Sequence, residues 1–469
     1  MISSSNTSLR YSAARHIVTT LRYAGHQAYL AGGCVRDLLL GIVAQDYDVA
    51  TSATPSIILQ LFPNKKTLTV GAHFGVVLVR EPNDGDDNGV STEVATFRHD
   101  GSYSDGRHPD TVRFSTRPQE DVQRRDFTIN GMLLDPVIFD ETGDTSAATL
   151  DYVGGRADLE AHIVRAIGDP AKRFTEDKLR MLRAIRFAAR LDFEIEPKTF
   201  AAIRSAASQI NQVSPERIRD ELTLMLTEGR ARRAFELLDA TGLLAHILPE
   251  ATRMHGVQQP PEFHPEGDVW IHTMLLLEKL PAGVSPTLAW GALLHDIGKP
   301  ATFRAPDPND PHDRIRFNGH VEVGVRVSEK ILGRLRFSNE ETAQIVALVK
   351  NHMRFGDVLH MRESTLKRFL RLPQFDEHLE LHRIDCLAAH GDLSLYDFAK
   401  EHYERAPEEE IRPKLLLTGR ELIAAGYHPG PKFKVMLEAA EDAQLEGAIS
   451  TPEQALALLR GRFGKPPSS

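Results

Sequence analysis

Two cysteines in 469 residues, Cys34 and Cys386, cannot build a disulfide framework, so a reducing compartment is indicated and the cytoplasm is the expected location. No run of 18 apolar residues occurs, which excludes an obvious membrane-spanning helix. The polar start MISSSNTSLR lacks the apolar stretch of a secretory signal. Basic excess is missing as well: 56 Lys and Arg against 65 Asp and Glu leave a net charge of −9. That balance argues against a general nucleic-acid coat protein but permits a local basic groove, because binding follows the local field. Tryptophan and tyrosine are sparse, at 2 and 9, whereas 20 histidines hint at metal chemistry. With 41% hydrophobic and 26% charged residues the chain has ordinary globular usage, which excludes wholesale disorder and fibrous repeats. Its length calls for several domains.

Along the chain, helical spacing at Leu9–Tyr23 gives way to a short apolar strand, Ala28–Leu30, that runs into Gly32 and Gly33. Val35–Leu40 reads as a helix and Tyr47–Ala50 as a strand. Val76–Val79 and Thr92–Phe97 read as further strands, with the acidic stretch Pro82–Gly89 as a hairpin loop between them. From about Ala157 strand signals fade into helices at Lys178–Leu191, Lys198–Ala207, Pro215–Leu226 and Arg232–Asp239. Ser214-Pro215 supplies an N-cap followed by proline at the first helical position. Proline clusters at Gln258–Pro261 and Pro407–Pro413 mark further boundaries. The expected organisation is a head over 1–150, a helical neck over 151–255, a histidine-dense domain over 256–400 and a helical tail over 401–469.

In the head, Gly32 and Gly33 at a strand-to-helix junction let backbone N–H groups approach an anion. Asp46 and Asp48, two apart, would face one side of a strand, as a Mg²⁺ pair bound to phosphate oxygens requires. Glu93, opening an apolar strand, offers a third carboxylate. Taken singly, these pieces also fit a simple turn and solvated strand-edge charges. Arg124 and Arg125 followed by Asp126 suit a triphosphate and a ribose hydroxyl. In the neck, Asp177, Arg180 and Arg183 recur at spacings of three and are expected on one helix face. A carboxylate acceptor beside a guanidinium donor complements the edge of C or A, while G and U carry a carbonyl where those bases carry the amine. An intrahelical ion pair explains the same spacing. The stretch Arg165–Arg190 is locally basic and can follow an RNA backbone.

Together these motifs resemble the class II tRNA nucleotidyltransferases (CCA-adding enzymes) and the related bacterial poly(A) polymerases. The matching pieces are the glycine pair with Arg36-Asp37, Asp46-x-Asp48, Asp105-Gly106-Arg107, Arg124 through Asn130, Glu176-Asp177-x-x-Arg180 and Ser214 through Arg219, in order over roughly the first 225 residues. The resemblance implies an α+β fold: a polymerase-beta-like nucleotidyltransferase head with a small mixed sheet, then an all-helical neck, an HD domain and a helical tail. It implies Mg²⁺ on Asp46 and Asp48 with Glu93 alongside, and triphosphate contacts from Gly32, Gly33 and Arg36. It also implies nucleotide contacts from Arg125 and Asn130, ribose recognition by Asp126, and Asp177 and Arg180, with Arg183, as an amino-acid template for CTP and ATP. Gly131 departs from the pattern, where relatives usually carry alanine, and little consequence is expected.

Beyond residue 255 come His272, His295-Asp296, His320, His352 and Asp385 in order. This series resembles the HD phosphohydrolase domain over about 255–395. The minimal metal set it implies is His272, His295, Asp296 and Asp385, with His320 and His352 as the added ligands of two-metal members. Mixed imidazole and carboxylate ligation suits a divalent transition metal such as Mn, Fe, Co or Ni. The implied activity is hydrolysis of phosphate esters, on 2′,3′-cyclic or 2′-phosphates of RNA ends. The tail resembles the small C-terminal helical segment of HD-carrying CCA-adding enzymes; it serves packing, or RNA contact through Lys432 and Lys434. The expected function is template-independent addition of CMP and AMP, from CTP and ATP, to the tRNA 3′ end. Alternatives are a poly(A) polymerase, an A-only or CC-only enzyme, and a stand-alone HD phosphohydrolase. No membrane partner is expected, and the oligomeric state is left open.

Overall fold

The structure, a computed structural model, describes residues 4–63, 67, 75–83, 86–101, 111–262, 264–310, 312–405 and 407–465. The Asp105-Gly106-Arg107 motif lies outside the described residues. The chain forms two compact units, Met1–Met225 with Arg233–Pro249, and Leu226–Arg232 with Glu250–Ser469. The expected boundary near residue 150 falls inside the first of these. Among the described residues no helix is long and apolar enough to cross a membrane.

The first unit opens with the helix Ser4–Tyr23 and then builds strands β1 (Ala28–Ala31), β2 (Asp48–Thr51), β3 (Val76–Asn83), β4 (Asp86–Thr96), β5 (Arg98–Asp100), β6 (Val112–Phe114), β7 (Met132–Leu134) and β8 (Thr149–Asp151). Six of them make one sheet in the order β3-β4-β2-β1-β7-β8, in which β2 and β4 run parallel and every other neighbour antiparallel. The sheet is therefore mixed and small, as the fold expectation requires. Ala31, Ala50, Phe97, Val122 and Leu133 form a buried cluster on it. The stretch expected to be a hairpin loop is mostly strand instead: β3 continues to Asn83 and β4 begins at Asp86, with residues 84 and 85 outside the described set. Cross-strand pairing overrides the turn-forming composition there.

The rest of the unit is helical except for β9 (Ile163–Val164) and β10 (Glu194–Ile195), a short parallel pair that local sequence does not announce. The stretch expected to carry Asp177, Arg180 and Arg183 on one helix is divided. A helix Pro170–Glu176 ends before Asp177, and a second spans Leu179–Leu191. Asp177 sits in the break at φ −145° and ψ 109°. Its side chain accepts from the Leu179 backbone N–H at 3.0 Å. Asp177 therefore caps the second helix rather than sharing a face inside it, which corrects the one-face expectation for Asp177, Arg180 and Arg183.

In the second unit lie the helices Val269–Glu278, Pro286–Leu294, His320–Arg334, Asn339–Asn351 and Phe375–Ala388, and on the second of them Ala289, Trp290, Leu293 and Leu294 are fully covered. Asp268 caps the first of them through Ile271 N, and Ser338 with Glu341 forms a capping box on the fourth. The tail has its own cluster, built on Leu417, Leu422, Met436 and Leu459.

Candidate functional sites

β1 feeds a turn at Gly32 (φ 79°), after which the helix Gly33–Leu39 begins. The positive φ favours glycine, and the backbone lies so close to Arg125 that a Cβ at Gly32 would sit 3.1 Å from its Nη1. Beyond this turn opens a cavity of about 440 Å³ that Gly32, Gly33, Asp48, Asp126, Asn130 and Asp177 help to line. Seven arginines line it as well: Arg36, Arg124, Arg125, Arg180, Arg183, Arg186 and Arg190. Among the lining side chains three carboxylates stand against seven guanidiniums, a surface of donors that suits a polyphosphate.

The arginines are held in place by acids behind them. Burial alone would raise Asp121, but Arg124 and Arg125 outweigh it and keep the carboxyl below its ordinary range. Asp121 accepts from Arg124 Nη2 at 2.6 Å and from Arg125 Nη2 at 3.0 Å. Arg36 is buried; it donates to Asp37 Oδ1 at 2.7 Å and to Asn130 Oδ1 at 2.7 Å, and lies 5.1 Å from the Phe187 ring centre. Asp126 accepts from Phe127 N at 2.8 Å and from Arg183 Nη2 at 2.7 Å. Arg180 donates to Glu176 at 2.8 Å and to the Arg124 carbonyl at 3.1 Å, tying the neck helix to the motif Arg124–Asn130. Asp177 accepts from Arg217 Nη2 at 2.8 Å. Alanine at Gly131 would place its Cβ 2.8 Å from Val153 and 2.9 Å from Ile167, so those two side chains fill the space that the departure leaves.

The metal-side carboxylates are distributed differently from the expectation. Asp48 opens β2, and the parallel register Val49↔Val94 sets it beside Glu93. Asp46 precedes the strand, is exposed, and pairs with Arg10 at 2.6 Å; it is not among the cavity-lining residues. Only Asp48 of the pair is thus on the strand, while Asp46 faces a guanidinium from the first helix. Asp48 is accessible as a residue, yet its carboxylate is crowded by the cavity wall. That desolvation, then the Glu93 charge, then Asp46, against Arg125, push it up to about 6. Three acids pressing on one another call for a cation, and an all-carboxylate donor set fits Mg²⁺. Among the described residues, the three groups of side chains whose ligand atoms lie within 4.8 Å of one another are all in the second unit.

There the six expected residues converge. His272 Nε2 lies 3.0 Å from Asp385 Oδ1 and 3.3 Å from His295 Nε2, and His295 Nε2 lies 3.2 Å from Asp296 Oδ2. The other oxygen, Asp296 Oδ1, lies 3.9 Å from His320 Nε2 and 3.8 Å from His352 Nε2, which are 3.4 Å apart. Asp296 therefore presents one oxygen to each half of the cluster. Every imidazole is oriented through its other nitrogen: His295 Nδ1 meets the Ala292 carbonyl at 2.8 Å, His320 the Phe317 carbonyl at 2.9 Å, and His352 the Val349 carbonyl at 2.7 Å. His272 Nδ1 meets Glu266 Oε1 at 2.7 Å. With Nδ1 turned outward, each Nε2 faces the centre, where a cation would take the place of any proton it carries. Asp296 Oδ1 is buried and has no hydrogen-bond partner, the mark of a group set aside for a cation. Burial would lower His272, but Asp385 and Glu266 prevail and raise it to about 9, so the centre favours positive charge. His352, in contrast, is pushed down to about 4 by burial. The residues fit one or two divalent ions.

Gly298 permits this convergence: a Cβ there would lie 2.1 Å from the His320 carbonyl and 2.6 Å from Gly324 N. Residues that sequence reasoning passed over include Glu266, Lys299, which lies 2.6 Å from Asp296, and Gln259, which holds Lys299 at 2.7 Å. In the head they include Arg10 and Arg217, whereas Arg186 and Arg190 belong to the basic stretch expected to follow RNA. Arg217 lay inside the motif Ser214 through Arg219; Arg10 and Gln259 had no local signal.

Known proteins are similar to this chain over each of these regions. Residues 28–165 match the family described as "Poly A polymerase head domain", 192–254 match "Probable RNA and SrmB- binding site of polymerase A", and 268–389 match "HD domain". A CCA-adding enzyme of Lactobacillus johnsonii is 38% identical over 275 residues, which cover 58% of this chain and 65% of that relative. One of Levilactobacillus brevis is 40% identical over 449 residues, covering 95% of this chain and 96% of the relative. The crystal structure of the Bacillus stearothermophilus CCA-adding enzyme in complex with CTP superposes with a TM-score of 0.71 at 26% identity, covering 97% of this chain and 98% of that one. The chain belongs to the class II tRNA nucleotidyltransferase family of CCA-adding enzymes and bacterial poly(A) polymerases, in its HD-carrying form.

Proposed function

We propose that the chain adds CMP and AMP, from CTP and ATP, to the tRNA 3′ end without a nucleic-acid template, completing or repairing the CCA sequence. The observation that carries this reading is a single cavity joining Asp48 to the arginine frame and to Asp177 and Arg180. In the reaction an RNA 3′-hydroxyl attacks the α-phosphate of the nucleotide and pyrophosphate leaves. Arg124 and Arg125, fixed by Asp121, hold phosphate oxygens, and Asp126 accepts from the ribose hydroxyl. Asp177 accepts from the exocyclic amine of C or A while Arg180 donates to the ring nitrogen. Asp48, Glu93 and Asp46 would hold Mg²⁺, which supplies activation of the hydroxyl and screening of phosphate charge. The test offers tRNA transcripts ending before C, CC or CCA to the purified chain with single nucleotides. Three additions that stop support the reading, and an unbounded A ladder selects a poly(A) polymerase.

The second centre is proposed to hydrolyse phosphate esters on RNA ends. His272, His295, Asp296 and Asp385 would hold one divalent transition ion and Asp296, His320 and His352 another, supplying a Lewis acid and an acidified water. Its test is divalent-metal-dependent phosphodiesterase activity that disappears in Asp296→Asn while nucleotide addition continues.

A further inference from the structure

We propose that Arg217 is a positioning residue for nucleotide choice, acting through Asp177; this rests on Asp177 being the base-selecting acceptor. Asp177 stands in the gap between two helices, where no continuous turn fixes its direction. Two contacts do so instead. Its Oδ1 accepts from Leu179 N at 3.0 Å, and its Oδ2 accepts from Arg217 Nη2 at 2.8 Å, across 40 residues of sequence. Arg217 arises in the first turn of the helix Pro215–Thr227, so its base is anchored in regular structure. It is not among the residues lining the cavity, whereas Asp177 is.

Each carboxylate oxygen has two lone pairs, so both contacts can persist while Asp177 accepts from a base. The terminal torsion of an aspartate is broad and intrinsically loose. With Arg217 in place the carboxylate plane is pinned at both oxygens, and its remaining lone pairs point in fixed directions. An amine meets them; a carbonyl in the same position meets an oxygen that cannot turn away. Without Arg217 the carboxylate pivots about its contact to Leu179 N, and the penalty against U and G falls. The effect is on discrimination more than on rate, because relaxing the carboxylate relieves the wrong base and weakens the right one together.

The experiment uses the full chain and measures kcat/KM for CTP and UTP on a tRNA transcript lacking CCA, and for ATP and GTP on one ending in CC. In Arg217→Ala the CTP:UTP and ATP:GTP ratios are expected to fall about tenfold, the scale of a lost hydrogen bond to a charged group. Arg217→Gln, which keeps an N–H donor, should fall less, and it carries the test if the alanine variant does not fold. Equal losses on correct and incorrect nucleotides, with ratios unchanged, would make Arg217 merely structural and overturn the proposal. Asp177→Ala separates the two layers. If it lowers the ratios while both Arg217 variants do not, only the positioning role fails. If Asp177→Ala leaves the ratios intact, the selection reading beneath it fails as well.

Discussion

Around the head cavity the carboxylates meet arginines: Asp121 meets Arg124 and Arg125, Asp126 meets Arg183, and Asp177 meets Arg217. In the second unit the carboxylates Asp296 and Asp385 meet imidazoles and one lysine. A guanidinium cannot give up its proton in a protein, so the first arrangement leaves a permanent positive frame around an open volume. An imidazole oriented through Nδ1 turns its Nε2 inward, so the second leaves a ring of donors around a small centre. Similar inventories of acid and base thus prepare one site for an anion and the other for a cation.

The sharpest way to break this contrast is to remove one acid from each side. Asp48→Ala should lower nucleotide addition on the order of 10³-fold, the scale of losing several kcal/mol of metal assistance, and leave the metal content of the second unit unchanged. Asp46→Ala should do likewise. Radiolabelled CMP incorporation and elemental analysis on the same samples check both halves, and a shared loss would dissolve the contrast. Asp296→Asn should strip metal from the histidine centre while addition stays within about twofold; chelation followed by Mg²⁺ alone should restore addition and not phosphodiesterase activity. Glu266→Gln retains an acceptor for His272 but loses the charge behind it. Metal affinity should fall roughly 10–100-fold by calorimetry, and an unchanged affinity would reduce Glu266 to packing.

The smallest effect concerns acid. His382 stacks on Phe355 with ring centres 4.3 Å apart, and burial pushes its pKa down to about 4. The unfolded chain, with the ordinary value near 6.5, then binds the proton that the folded state refuses. Stability is lost as pH falls from about 6.5 toward about 4, and this imidazole contributes no change above that window. His382→Phe should recover roughly 2 kcal/mol at pH 5 relative to pH 7 in urea unfolding of the metal-free protein. A parallel pH dependence in both proteins would contradict this.

The apolar strand into Gly32, the helices of the neck and the whole histidine series were legible because each rests on local pattern or on residue type in order. What was not legible depends on contacts across distance. Asp177 reads as helical from its neighbours, but a cap on Leu179 and a tether from Arg217 draw it out of the helix. Asp46 reads as the twin of Asp48, yet Arg10, 36 residues earlier, pairs with it. Glu266 sits six residues before His272 and looks like a turn acid until folding brings its oxygen against that ring. β9 and β10 are too short to carry a periodicity and exist only as each other's partner.

The close approach at Gly298 has a further consequence. Asp296 and His320 come from different stretches of chain, and what sets the interval between them is a position with no side chain at all. A single methyl there would collide with main-chain atoms that cannot swing aside, wedging the two halves apart. The interval between Asp296 and His320 is thereby written into the backbone itself.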